Sequence, residues 1–257
     1  MRRLAGLALG IAVLWANVPA ASAATTNDLE HLVLDQVNAA RVSHGLIRLR
    51  SYGALWDLAG DRAGTMAARN IMTHTVAGSL SASLDARHIS WYSVGETIAY
   101  ASGGQTATAA RALVTLWRNS PEHWALLMSN RFNYVGVGLA YRSSNGRLFG
   151  SIVLTESRDH TPARAWVTGA TRTGDDIRWT WQAYDPTLQT HTAGLRDITV
   201  QMRRDRGAWV TILAHTTTTS RLSMNRVHGH WYGLRVRATD KKGNVGAWSA
   251  ERRAWVP

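Results

Sequence analysis

Apolar residues return every third or fourth position through Leu29, Leu32, Val33, Val37 and Ala40, just after Asn27-Asp28. That spacing predicts an amphipathic helix with an N-cap, ending near Gly45. A second stripe, Leu55, Leu58, Ala59, Ala63, Met66 and Ala67, predicts a helix over Tyr52 to Met72, with Gly60 and Gly64 working against its regularity. Residues 73–94 carry no clear period and read as loop or short turns. Thr106 to Trp117 is alanine-rich and helical in period, and Ser120-Pro121 opens another helix, with Ser at the N-cap and Pro at the first helical position.

The period then changes. Tyr134, Val135, Val137 and Leu139 mark a strand, Ser143-Ser144-Asn145-Gly146 a hairpin turn, and Leu148 to Leu154 the return. Helices followed by a hairpin give an α+β order. Beyond Thr161-Pro162 no helical pattern recurs. Short β-runs follow at Ile177–Ala183, Ile198–Arg203, Trp209–Leu213, Arg221–Met224 and Trp231–Ala238, spaced as in a β-sandwich. The chain therefore divides into a domain over residues 24–160 and a β-sandwich over 161–257.

Residues 1–23 stand apart. Arg2 and Arg3 precede an uncharged apolar run from Leu4 to Trp15, and Ala21-Ser22-Ala23 offers the small residues of a cleavage site. This is the order of a secretory signal. The run falls short of the roughly 20 apolar residues that span a bilayer. With no cysteine in the chain, disulfides and lipidation at the cleavage site are excluded, and both domains must hold by burial alone. The expectation is a secreted, extracellular protein that is not a lipoprotein.

The net charge is +12. Residues 24–161 carry 12 basic and 10 acidic residues, whereas 162–257 carry 15 and 7, so the excess belongs to the sandwich. A surface facing a polyanion and a merely basic soluble domain both fit. The basic residues fit no nucleic-acid-reading motif, which makes nucleic acid an unlikely partner. Arg203 lies on one strand with Thr199 and Gln201, and Arg235 and Arg237 on another; as neighbours in the sheet they would form a ladder, with Trp248 near enough for cation–π stacking. That ladder could grip an anionic wall polymer or simply cover a solvent face.

Four stretches of the first domain resemble the bacterial branch of the CAP (SCP-like) superfamily of cysteine-rich secretory, antigen 5 and pathogenesis-related proteins. They are Val37-Asn38-Ala39-Ala40-Arg41, Met72-Thr73-His74-Thr75, Gly95-Glu96-Thr97-Ile98-Ala99, and Trp117-Arg118-Asn119-Ser120-Pro121-Glu122-His123-Trp124 leading to Phe132-Asn133-Tyr134-Val135-Gly136-Val137-Gly138. The resemblance implies a three-layer α-β-α sandwich with a cleft lined by two His and two Glu, often seen with a divalent cation. His74, Glu96 and His123 match three of those positions. Ala101 to Pro121 contains no Asp or Glu, so the second acidic position is missing, and Glu122 is the only substitute nearby. The second domain resembles fibronectin type III modules: Tyr232, Leu234, Val236 and Ala238 alternate inward, Gly246-Ala247-Trp248-Ser249 begins the last strand, and Trp179 and Trp181 occupy the core.

Given that likeness, His74, Glu96 and His123 form a ligand set suited to zinc or another divalent cation, with an open position for water. The missing acid weakens it, because supporting carboxylates orient imidazoles. His123 near a helix N-terminus is expected neutral and ligand-competent. Three functions follow, one of them a purely structural wall-associated protein with a vestigial cleft. The leading one is an extracellular binding module for a small apolar ligand, a cation or a wall component, with lipid or sterol binding implied by the wider family alone. The alternative is a metal-dependent peptide or ester hydrolase with Glu96 or Glu122 as base. No His-Glu-x-x-His or Gly-x-Ser-x-Gly motif supports catalysis.

Overall fold

The computed structural model describes residues 25–257. The leader read at residues 1–23 lies outside them. Among the described residues no helix is long and apolar enough to cross a membrane. Helix α1 (Thr26–Ser43) begins two residues before the expected cap. Thr25 is the N-cap: its Oγ1 accepts from the Asp28 N–H while Asp28 accepts from the Thr25 N–H, at 3.2 and 2.9 Å. Asp28 is thus the third residue of a capping box rather than the cap itself.

The first domain continues through β1 (Arg50–Ser51), α2 (Gly53–Arg69), α3 (Leu80–Ala86), β2 (Ser93–Ser102), α4 (Ala107–Arg118), α5 (Pro121–Leu127), β3 (Tyr134–Arg142) and β4 (Arg147–Glu156). The sheet order is β1-β3-β4-β2, with β1 parallel to β3 and the other pairs antiparallel. Helices α1 and α4 bury Leu29, Val33, Val37, Leu113 and Trp117 against Val135, Val137 and Ile152 on one face. Helix α2 covers the opposite face with Leu55, Leu58 and Ala59 against Tyr134 and Val153. This is the three-layer α-β-α arrangement.

The middle of α2 all but touches the sheet. A Cβ at Gly136 would lie 2.0 Å from the Leu55 carbonyl oxygen, and one at Gly138 would lie 2.1 Å from the Ala59 carbonyl carbon. Gly60 and Gly64 do not break α2, which runs unbroken from Gly53 to Arg69. Two residues of the Val37-to-Arg41 stretch act as braces. Asn38 exchanges hydrogen bonds with both backbone groups of Leu49. Arg41, fully buried, donates to the carbonyls of Ile47, Leu127 and Ser129. Burial pushes its guanidinium down to about 10.

Three elements escape the sequence pattern here, the two-residue β1 among them. The stretch read as loop contains α3, and β2 replaces the tail of that loop. Strand β2 is an edge, its first four residues are only partly buried, and a carboxylate stands at Glu96 where alternation calls for an apolar residue. Its period is therefore masked.

The second domain has a four-stranded sheet, β11-β10-β7-β8, facing a three-stranded one, β5-β6-β9. The strands are β5 (Arg164–Thr173), β6 (Asp176–Tyr184), β7 (Leu195–Arg204), β8 (Val210–Thr216), β9 (Ser220–Ser223), β10 (His230–Asp240) and β11 (Arg252–Val256). Trp179 and Trp181 are buried between the sheets with Val200, Leu234 and Val236. Strand β5 was not legible, since its inward residues are the modest Ala165, Val167 and Ala170 and a bulge interrupts it between Val167 and Gly169. The Gly246-to-Ser249 segment does not begin the last strand. It crosses alongside β10, with the Ser249 N–H donating to the Val236 carbonyl, and β11 starts at Arg252.

The loop between β6 and β7 leans into the first domain. Leu188 is 2% exposed and joins the cluster of Leu55, Leu58 and Tyr134. Gln189 accepts from the Ile47 N–H at 2.7 Å, and the Thr190 carbonyl accepts from Asn133 at 3.1 Å.

Substituting Gly138→Ala forces α2 off the sheet. We expect a loss of about 3 kcal/mol in unfolding free energy, measured by urea denaturation. Ala substitution at exposed Gly174, where φ is +58° but no atom lies within 4 Å, should cost only about 1 kcal/mol by backbone strain. Equal losses at both sites would contradict the close-contact account.

Candidate functional site

Glu96 extends from edge strand β2 toward α2, and its side chain is 4% exposed. Its partner is Arg62, 3% exposed, which sits inside the apolar stripe of α2. Arg62 grips both carboxylate oxygens, Nε to Oε1 at 2.5 Å and NH2 to Oε2 at 3.0 Å. The same guanidinium donates to the carbonyls of His74 and Gly78, at 2.6 and 3.2 Å, and so ties down the segment after α2. Ser151 of β4 donates to Glu96 Oε1 at 2.9 Å, and His74 Nδ1 meets Oε2 at 2.8 Å. Burying a carboxylate is costly without such partners.

His74 and Glu96 are thus brought together. His123, on the first turn of α5, lies on a neighbouring groove, and its Nδ1 is engaged with Ser120 Oγ at 2.8 Å. Ser120 occupies the N-cap position, but its side chain makes no cap hydrogen bond and holds His123 instead. Glu122 is exposed and does not line the groove. Among the described residues, His74, Glu96 and His123 do not converge as a three-ligand cluster. Both Glu96 oxygens already serve Arg62, Ser151 and His74, so a divalent ion would have to compete with a guanidinium for this carboxylate. The residues as arranged do not fit a three-ligand metal site.

The groove has a volume of about 430 Å³. It opens beside β2 and is lined by Met72, Ile98, Tyr100, Leu116 and Trp117, with Ser120 and His123 as its polar edge. Leu116 is 48% exposed, an uncovered leucine on the rim. Arg62 and Ser151 were missed by pattern reading. The available signal was a charge at position 62, between Ala59 and Ala63 in an otherwise apolar stripe.

On the sandwich, β7 and β10 pair in the register that brings the expected arginines together. They stack in the order Arg203, Trp209, Arg235, Trp248, Arg237, with guanidinium carbons 4.3 to 4.6 Å from ring centroids. Trp209 was not anticipated as a rung. Arg203 is also doubly hydrogen-bonded to Glu251, and Arg235 donates twice to Gln201 Oε1. The Arg203 hydrogen bonds, helped by Arg253 and opposed by burial, hold the Glu251 carboxyl below its usual 4.5.

Comparison with known proteins places residues 34–155 on the model of the cysteine-rich secretory protein family, CAP. The uncharacterized membrane protein YlbC of Bacillus subtilis (strain 168) is 30% identical over 112 residues, 43% of this chain and 31% of that protein. The chain therefore spans about a third of the length of that curated relative. An extracellular protein containing an SCP domain from Bacillus anthracis strain Ames is 24% identical over 51% of this chain and 41% of its own, with a TM-score of 0.44. The fourth FNIII domain of a human protein is 21% identical over 40% of this chain and 84% of its own, with a TM-score of 0.32.

Two outcomes follow. Arg62→Met strands a buried carboxylate and should cost about 3–5 kcal/mol, while Arg62→Met with Glu96→Leu should recover most of it; chemical denaturation measures both, and a double variant no better than the single one contradicts the pairing. Because the folded Glu251 carboxyl lies below its usual 4.5, its stabilisation is present above that pH and is lost as pH falls through its folded value. The Tm difference between wild type and Glu251→Gln should therefore be widest above pH 4.5 and close on acidification.

Proposed function

We propose that this protein, whose residues 34–155 match the CAP family and whose later strands form a two-sheet sandwich, is exported and acts as an extracellular binding module. We divide it into a leader over 1–23, a CAP domain over 24–160 and the sandwich over 161–257. The groove beside β2 takes the apolar part of a small ligand, and His123 and Ser120 meet its polar end. The observation that carries this reading is the lining: Met72, Ile98, Leu116 and Trp117 surround an open volume large enough for a small molecule. His74, Glu96 and Arg62 brace the groove's flank by holding the segment after α2 against β2.

The cation and hydrolase readings rest on His74, Glu96 and His123, which do not converge as three ligands, and are weaker. Glu96 is neutralised by Arg62 and bonded to His74, and neither it nor exposed Glu122 is poised as a free base. The sandwich serves as a spacer. Its Arg203, Arg235 and Arg237 are occupied by Trp209, Trp248, Glu251 and Gln201, which favours a packed ladder over a polyanion grip.

Titration of the full chain with a fluorescent long-chain fatty acid tests the proposal. Wild type should bind it saturably, and Leu116→Gln, at a rim position, should weaken binding by roughly tenfold with Tm unchanged. No saturable binding by wild type, or equal binding by the variant, overturns the assignment.

A further inference from the structure

Away from the groove, three aspartates converge where the two domains meet. Asp159 belongs to the segment joining β4 to β5, Asp185 follows β6, and Asp240 ends β10. One carboxylate oxygen from each lies within 4.8 Å of the others, and these carboxylates are buried, although Asp185 as a whole residue is only half-buried. Three like charges this close and this far from water repel strongly and do not persist without a counter-charge.

Their hydrogen bonds account for most of the oxygens. Asp159 accepts from Tyr134 OH and the Thr161 N–H with Oδ1, and from the Ala193 N–H with Oδ2. Asp240 Oδ1 accepts from the N–H groups of Lys242 and Asn244, and Oδ2 from the Asn244 side chain. Asp185 Oδ2 accepts from the Gly194 N–H. Asp185 Oδ1 is sealed from solvent and accepts nothing. A buried anionic oxygen without a donor is costly, and this one belongs to a member of the cluster. Burial raises the Asp185 carboxyl above its usual range; the Gly194 N–H hydrogen bond opposes this, Asp159 and Asp240 add to it, and Arg50 opposes it least.

We propose that Asp159, Asp185 and Asp240 hold a calcium ion at the junction of the CAP domain and the sandwich. The donor set is all carboxylate, hard oxygen without His or Cys, which disfavours zinc. Magnesium keeps several waters and sheds them reluctantly, whereas calcium accepts irregular carboxylate and carbonyl shells. The ion would supply the missing partner of Asp185 Oδ1 and neutralise the cluster. It would also join the domains, since one ligand precedes the sandwich and two come from the ends of its strands β6 and β10. Asn244 already bridges the same parts, donating to the Asp159 carbonyl and to Asp240.

The test uses the full chain stripped with EDTA, followed by thermal unfolding with CaCl₂ or MgCl₂ and by calorimetric titration with Ca²⁺. Calcium at about 100-fold above its Kd should raise Tm by roughly 5 °C, with one ion bound per chain. Asp185→Asn, which keeps the shape and removes the charge, should abolish the rise and be at least as stable as stripped wild type. His74→Ala with His123→Ala should keep the rise, which separates this site from the groove. Unchanged Tm and no calorimetric binding in wild type would mean that the cluster holds a proton instead, and would overturn the proposal. So would a rise undiminished in Asp185→Asn, or one equally large with magnesium.

Discussion

The close contact between α2 and the sheet governs the first domain. Gly136 and Gly138 remove the side chains that would hold the helix off β3, so the α2 backbone rests against the strand. Arg62 lies one turn beyond the contact at Leu55, Leu58 and Ala59, and from there its guanidinium reaches Glu96 on β2, the far edge strand. The buried ion pair depends on this seat: a helix displaced outward would leave both charges desolvated and unmatched. Arg62 then fixes the backbone after α2 through the carbonyls of His74 and Gly78. The groove's flank is thus a consequence of two missing side chains on β3.

Much of this was legible in the chain. The helical stripes of α1, α2 and α4, the β3–β4 hairpin and the inward alternation of β10 all follow from burying one face of a regular element. The pairing of His74 with Glu96 came from family likeness, since no local rule links residues that far apart. Arg62 was hidden because an apolar stripe reads as apolar even with one arginine inside it. Strand β2 was hidden for the reciprocal reason, a carboxylate on the inward face of a partly buried edge strand. Each was the other's explanation, and only the fold puts them side by side. The aspartate cluster was beyond reach for the same reason: its members come from three separate places along the chain, two connections and the end of β10.

Charge in this protein is therefore a poor guide when counted by domain. The sandwich carries the positive excess, yet its most concentrated arginines are interleaved with tryptophan rings and closed off by Glu251. Planar guanidinium groups tolerate this because they are weakly hydrated and stack well on aromatic faces. Meanwhile the junction collects negative charge in the interior. The distribution that matters is local, with each buried ion answered by a specific neighbour.

Leu188 carries a last implication. It belongs to a loop of the sandwich, yet its side chain completes the apolar wall beneath α2. Cutting the chain after residue 160 would leave a hole in that wall and remove the Gln189 amide from Ile47 and the Thr190 carbonyl from Asn133. The two folds are consequently not beads on a string. The second plugs the first, and neither can swivel freely without withdrawing its stopper.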